Sequence, residues 1–266
     1  MSALKNMLVK AISGSRFIQS ALEKNVQASQ YLMGIGSGAG VFSSGERSVF
    51  SVLKKMVKPP YCVFDVGSNK GQFLQLILDS LEGVSFSVHC FEPGHETFKM
   101  LAQSNKDDIR IKLNNIGLGK ESGQATLHFD SAGSGLASLT KRRLDHFGID
   151  FEKSDEVEID TIDNYCSGNA ISHINLLKID IEGHELDALA GAKRMFGSKA
   201  IDIVTFEFGG CNIDTRTFFQ DFWYFFNKMN MAVFRVTPSG YLYEIKSYRE
   251  IHEQFRTTNF VAISNG

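Results

Sequence analysis

Tyr61-Cys-Val-Phe-Asp-Val-Gly67-Ser-Asn-Lys-Gly71-Gln-Phe73, a stretch with helical spacing, and then Phe86-Ser-Val-His-Cys-Phe-Glu92-Pro-Gly94 decide the fold. They spell a buried strand ending in an acid, a turn carrying two glycines, a helix, and a second strand ending in another acid. Gly67 and Gly71 let the backbone approach a ligand closely, and the first amides of the following helix point into the same gap. Glu92 lies about 25 residues beyond Gly67, near the spacing at which an acid accepts hydrogen bonds from ribose hydroxyls. The turn departs from the dinucleotide pattern Gly-x-Gly-x-x-Gly, because its glycines are four apart with Asn69 between them. Lys70 does not make it a phosphate loop, since the order Gly-Lys-Ser/Thr is absent. Asp65 discriminates further. A carboxylate at the strand tip repels a pyrophosphate and suits a cofactor with a cationic amino group and a sulfonium, such as S-adenosylmethionine.

Working outward, residues 61–66, 85–91, 109–114, 174–180, 201–208, 231–236 and 257–263 read as strands. Between them, 69–81, 94–105, 184–196 and 216–229 read as helices. This alternation predicts an α/β fold with a mostly parallel sheet covered on both faces. Residues 123–129 and 156–160 read as two extra strands, separated by a Ser/Gly-rich loop from Asp130 to Thr140 and the charged Lys141-Arg142-Arg143. A long loop inside such a domain is more often functional than not. Upstream, Leu4, Met7, Leu8, Ala11, Ile12, Ile18, Ala21 and Leu22 recur at helical spacing over 3–23. The expectation is a helix packed on the main domain as a lid or extra layer. Attachment to a membrane surface is the alternative, which Gly14 and the modest charge disfavour. Residues 46–57 read as a helix stopped by Pro59-Pro60, so the chain divides into an N-terminal extension over 1–58 and a domain over 59–266. Gly34-Ile-Gly-Ser-Gly38 matches a phosphate-cradling loop only superficially, with no strand before it and no lysine closing it.

The whole chain is 266 residues long, 43% hydrophobic and 22% charged, with a formal net charge of −2. That charge gives no reason to expect nucleic acid as a partner. The four cysteines (62, 90, 166 and 211) have no paired ligand spacing and predict a reduced, cytoplasmic setting. No apolar run reaches the roughly 18 residues of a transmembrane helix, and no signal-peptide pattern is present.

Asp65-Val-Gly-Ser-Asn-Lys-Gly71, Phe91-Glu-Pro93, Asn115-Ile-Gly-Leu118, Leu177-Lys-Ile-Asp-Ile-Glu-Gly-His-Glu185 and Phe206-Glu207 follow one another in that order. Over residues 60 to 210 this series resembles the FkbM family of S-adenosylmethionine-dependent methyltransferases. Gly34–Glu46 is similar to a segment that precedes the domain in some bacterial members. The resemblance implies a class I methyltransferase sheet of seven strands and methylation of a hydroxyl on a sugar, polyketide or similar metabolite. It implies that Asp65 and the turn through Gly67, Ser68, Asn69 and Gly71 hold the methionine end of the cofactor. Glu92 would take the ribose, Phe91 and Pro93 would shape the adenosine slot, and Asn115 would lie beside the adenine. Gly117 stands where members more often carry alanine, which should only loosen packing.

In an extended segment, Lys178, Asp180, Glu182 and His184 share one face and emerge at the carboxyl end of the sheet. Transfer to oxygen needs a base there, and His184 or Asp180 is the candidate. Asp180, Glu182 and His184 could also bind a divalent cation such as magnesium. Glu207, at another strand tip, is expected to orient the acceptor or assist the base. The helix around Phe218–Phe226 is apolar nearly all round, as expected for core packing or for a subunit interface in a homo-oligomer; the N-terminal helix is a second such surface. Two other readings remain: a nicotinamide-dependent oxidoreductase, disfavoured by Asp65 and the glycine spacing, and a binding module without chemistry.

Overall fold

The computed structural model describes residues 3–105 and 108–266, with the side chains of Ala3, Leu4 and Leu8 outside that description. In chain order the elements are α1 (Ala3–Ser13), α2 (Arg16–Leu32), α3 (Ser48–Met56), β1 (Tyr61–Val66), α4 (Gln72–Ser80), β2 (Phe86–Phe91) and α5 (His95–Ser104). Next come β3 (Ile111–Asn114), β4 (Gly117–Leu118), β5 (Gly123–Phe129), β6 (Lys153–Asp160), α6 (Ile162–Gly168) and β7 (Ile174–Ile179). The chain continues through α7 (Glu185–Ala190), α8 (Lys193–Gly197), β8 (Ile201–Phe208), α9 (Cys211–Thr215) and α10 (Phe219–Lys228). It ends with β9 (Met231–Val236), β10 (Leu242–Glu244) and β11 (Thr258–Ser264).

The main sheet runs β10-β9-β11-β8-β7-β1-β2-β3, with β1, β2, β3, β7 and β8 parallel and β11 antiparallel to both its neighbours. This is the class I methyltransferase sheet, with eight strands rather than the expected seven. The eighth, β10, is a three-residue edge strand too short to show alternation. β1 and β7 are buried at almost every position, as a strand covered on both faces requires. Alternation sends Val63, Val88 and Leu176 toward α3, α4 and α5, and Phe64, Phe91 and Leu177 toward α6, α7, α8 and α10. Residues 117–160 leave the main sheet and form a separate three-stranded sheet, β4-β6-β5, that contains both extra strands expected between residues 123 and 160.

Two local expectations change. The helix over 184–196 is broken into α7 and α8 around Gly191, where a Cβ would lie 2.1 Å from the carbonyl of Gly119. The N-terminal helix is also two helices, broken where Ser15 turns extended after Gly14. Among the described residues neither forms the packed layer expected of it: α2 has no buried residue, and the described side chains of α1 are exposed. By contrast Ile35, Val49, Phe50 and Leu53 are buried, and the last three pack with Phe73 and Ile77 in the core, so residues 35–53 pack as part of the main body. In α10, Phe222 and Phe226 stack on Phe206, and Phe219 packs against Phe208 and Phe260, while Phe218 and Tyr224 are exposed. Among the described residues no helix is long and apolar enough to cross a membrane.

Candidate active site

A cavity of about 860 Å³ lies at the carboxyl ends of β1, β2, β7 and β8. The tip of β1 builds its floor. Ser68 Oγ donates to the Asp65 carbonyl, and the amides of Gly67 and Ser68 both donate to the Phe91 carbonyl, which locks the turn to β2. Gly67 has φ 79°, and a Cβ there would fall 1.9 Å from the Asp180 carbonyl oxygen. Only glycine fits this crossing of β1 and β7, because the Asp180 carbonyl occupies the place a side chain would take.

Glu92 is buried, and each carboxylate oxygen accepts one backbone amide: Asn69 at 3.0 Å and Gly94 at 2.9 Å. Burial pushes its pKa up to about 7 against the pull of those two amides. Every oxygen keeps a free lone pair, the acceptor capacity a ribose diol needs. Phe91, Pro93, Gly117, Leu118 and Ile159 form an apolar slot beside it. Asn115 does not line the cavity. Its amide donates to the carbonyls of Glu92 and Pro93, so it shapes the turn that makes the slot instead of lying beside the ligand. Gly117 is not a loosening either, because a Cβ there would meet Ile159 Cδ1 at 2.6 Å.

Asp65 departs from its expected role. Its side chain is fully buried outside the cavity wall, and its nearest cation is Lys178, 3.2 Å away. The two are paired residues in the β1–β7 register. Lys178 does reach the cavity, donating to the Gly67 carbonyl at 2.8 Å with Asp180 3.7 Å away. Burial works against its charge, but Asp65, Asp180 and Glu46 outweigh it and hold the ammonium's pKa above the ordinary lysine value.

Lys178, Asp180, Glu182 and His184 all border the cavity, though not as one extended face. β7 ends at Ile179, and Glu182 and Gly183 take positive φ, so a turn presents the last two. Glu185, fully buried, fixes that turn by accepting the amides of Ile181 and Gly183. Asp180 keeps its side chain 42% exposed. Glu182 pairs with Arg142, and its pKa is pushed up to about 8 by burial and by Asp180, with Arg142 opposing. His184 is held at both nitrogens, by Asp187 at 2.9 Å and by Thr140 Oγ1 at 3.0 Å. Glu207 faces the same cavity, and burial with the neighbouring Asp180 and Glu182 charges raises its pKa well above the usual carboxylate value.

The expected cation ligands Asp180, Glu182 and His184 are not brought together. Among the described residues, the ligand atoms that converge are those of Glu182, Glu207 and Cys211, within 4.8 Å. A thiol is a poor partner for magnesium, and Glu182 is already committed to Arg142.

Two contributors escaped the sequence reading. Glu46, on the loop before α3, borders the cavity; burial raises its pKa to about 7, although Ser44 donates to it at 2.7 Å. Arg142 bridges Glu182 and Asp214 with its side chain only 8% exposed. The loop that carries it folds over the cavity. Asn69 donates to Ser134, Thr97 accepts the Gly133 amide, and Ser138 donates to the Glu182 carbonyl.

The sequence profile described as the Methyltransferase FkbM domain matches residues 65–235. The chain belongs to the FkbM methyltransferase family. Among curated proteins, 2-O-methyltransferase NoeI of Sinorhizobium fredii is 26% identical over 161 residues, covering 55% of this chain and 62% of that protein. Hexuronic acid methyltransferase AglP of Haloferax volcanii is 24% identical over 165 residues, covering 62% and 64%. The chain thus matches less than two thirds of the length of either relative. The solved FkbM methyltransferase of Methylobacillus flagellatus aligns at a TM-score of 0.47 with 16% identity, over 81% of this chain and 47% of that one.

Proposed function

We propose that the chain is an S-adenosylmethionine-dependent O-methyltransferase acting on a hydroxyl of a sugar or glycan. The observation that carries this is the Asp180 carboxylate, which lies just past the carboxyl end of β7 and keeps 42% of its side-chain surface exposed on the cavity. The two named relatives, a 2-O-methyltransferase and a hexuronic acid methyltransferase, support the sugar as acceptor class.

The cavity fits the cofactor on two counts: the apolar slot beside Phe91 and Pro93, and the acceptor capacity of Glu92. When bound, S-adenosylmethionine supplies an electrophilic methyl group on a cationic sulfur. Glu92 holds the ribose hydroxyls, and the turn at Gly67–Asn69 contacts the methionine end. Asp65 acts indirectly: it keeps Lys178 charged and fixed, and Lys178 in turn pins the Gly67 carbonyl and the end of β7. The acceptor hydroxyl lies against Asp180, which takes its proton as the oxygen attacks. His184, clamped by Asp187 and Thr140, positions the acceptor instead of serving as the base. Nothing in this reading is routed through a divalent cation.

The test is transfer of labelled methyl from S-adenosylmethionine to a panel of sugars, uronic acids and oligosaccharides. Asp180→Asn is expected to lower kcat by roughly 10²–10⁴-fold with cofactor Kd nearly unchanged by calorimetry. His184→Ala should act mainly on the acceptor's KM. Full turnover in Asp180→Asn would remove the base assignment. Tight cofactor binding with no transfer to any acceptor would favour the non-catalytic module instead.

A further inference from the structure

Among the described residues, α1 and α2 have no buried side chain. At about 100° per residue, Phe17, Ile18, Ala21, Leu22, Val26 and Leu32 fall on one half of α2, and Arg16, Gln19, Glu23, Lys24 and Gln27 on the other. In a helix packed on a domain the apolar half is covered. Here Phe17 is 82% and Leu32 75% exposed, and Met7 and Ile12 of α1 are exposed as well. Only the base of the arm is tied down. Gln30 bonds Gln254 and Arg256, and Arg235 donates to the Met33 carbonyl. Arg256 also borders the cavity, so the arm springs from its rim.

Charge separates the arm from the rest. Of 28 Lys and Arg and 30 Asp and Glu, residues 1–33 carry four cations (Lys5, Lys10, Arg16 and Lys24) and one acid, Glu23, leaving 24 cations against 29 acids elsewhere. A second copy seated on this face would set two cationic arms against each other in a symmetric contact. A surface that is apolar within and negative outside matches both properties at once. We propose that α1 and α2 lie in the plane of an anionic lipid surface, with the Phe17–Leu32 face sunk among the acyl chains and Lys5, Lys10, Arg16 and Lys24 among the headgroups. The active site is thereby held at the bilayer surface.

The experiment is sedimentation of the full chain with vesicles of phosphatidylcholine, alone or with phosphatidylglycerol. Binding is expected only with phosphatidylglycerol, and to fall steeply between about 0.1 M and about 1 M salt, as the Debye length shrinks from about 10 Å to about 3 Å. Phe17→Gln with Val26→Gln, and separately Lys10→Gln with Lys24→Gln, should each weaken it by roughly tenfold while leaving S-adenosylmethionine binding and circular dichroism unchanged. All four side chains are exposed, so neither variant threatens folding. The proposal is overturned if the wild type stays in the supernatant, if phosphatidylglycerol makes no difference, or if both variants bind like the wild type. It is overturned equally if ultracentrifugation finds a dimer that Phe17→Gln with Val26→Gln dissolves, which assigns the face to a second copy.

Discussion

Glu92, proposed to take the ribose, has a carboxylate already set in place by the backbone. Its two oxygens are fixed by backbone amides before any ligand arrives, so little ordering remains when ribose binds. Glu92→Ala should therefore weaken S-adenosylmethionine binding by about 10–100-fold, the equivalent of losing charged hydrogen bonds of about 1.5–3 kcal/mol. Isothermal titration checks it, and an unchanged Kd would move the ribose elsewhere. Gly117 is a second single-residue case. Gly117→Ala must move Ile159 Cδ1, the far end of a flexible side chain, at a cost of about 0.5–1.5 kcal/mol in thermal unfolding. Adding Ile159→Val should recover part of that loss, and purely additive effects would mean the two do not touch. Glu92 was legible in the sequence because everything it needs is local to one strand–turn unit. Asp65 was legible as a strand-tip acid but not as the partner of Lys178. That pairing depends on which strand lies beside β1, which no local pattern specifies.

At the level of elements, the strands were readable wherever alternation or burial ran for five residues or more. The short β4 and β10 and the seven-residue α6 were not, because so few residues cannot display a period. The loop after β5 was recognisable as long and polar. Its closure over the cavity depends on Arg142, which sits between Glu182 and Asp214. Arg142→Met should leave two acids unpaired, cost about 3 kcal/mol, and speed limited proteolysis within residues 130–152 well before global unfolding. If cleavage there is no faster, the loop is held by its contacts to Asn69, Thr97, the Glu182 carbonyl and His184 without Arg142. The amphipathic N-terminal spacing likewise predicted an apolar face correctly, yet periodicity says only that a face wants cover and never what supplies it.

For the molecule as a whole, the cavity gathers acids faster than cations, and this sets a pH dependence. Glu46, Glu92 and Glu182 have pKa values raised to about 7, about 7 and about 8 by burial. A carboxyl raised in the fold holds its proton more firmly there than in the unfolded chain. Its contribution to stability is complete below about pH 4.3 and is lost as pH rises through the folded value. His89, lowered to about 4 by burial and then by Lys112, works oppositely, but only up to its unfolded value near 6.5. The cofactor-free protein should therefore lose thermal stability between about pH 6.5 and pH 8, measurable as a falling Tm by scanning calorimetry. A cationic cofactor stabilises the charged carboxylates, so saturating S-adenosylmethionine should flatten the slope. A Tm that climbs across this window would mean these acids are already ionised in the fold.

The place of β11 in the sheet has a consequence for how the protein is made. It is the last strand of the chain and yet pairs on both sides, between β8 and β9. A nascent chain on the ribosome that has exposed everything up to residue 257 still has an open slot where that strand belongs, with the apolar edges of β8 and β9 unsatisfied. Phe255, Thr257 and Asn259 also complete the cavity wall. The sheet and the cavity wall therefore close only once residues 258–264 have emerged from the ribosome, and a chain cut before them would leave the facing edges of β8 and β9 open.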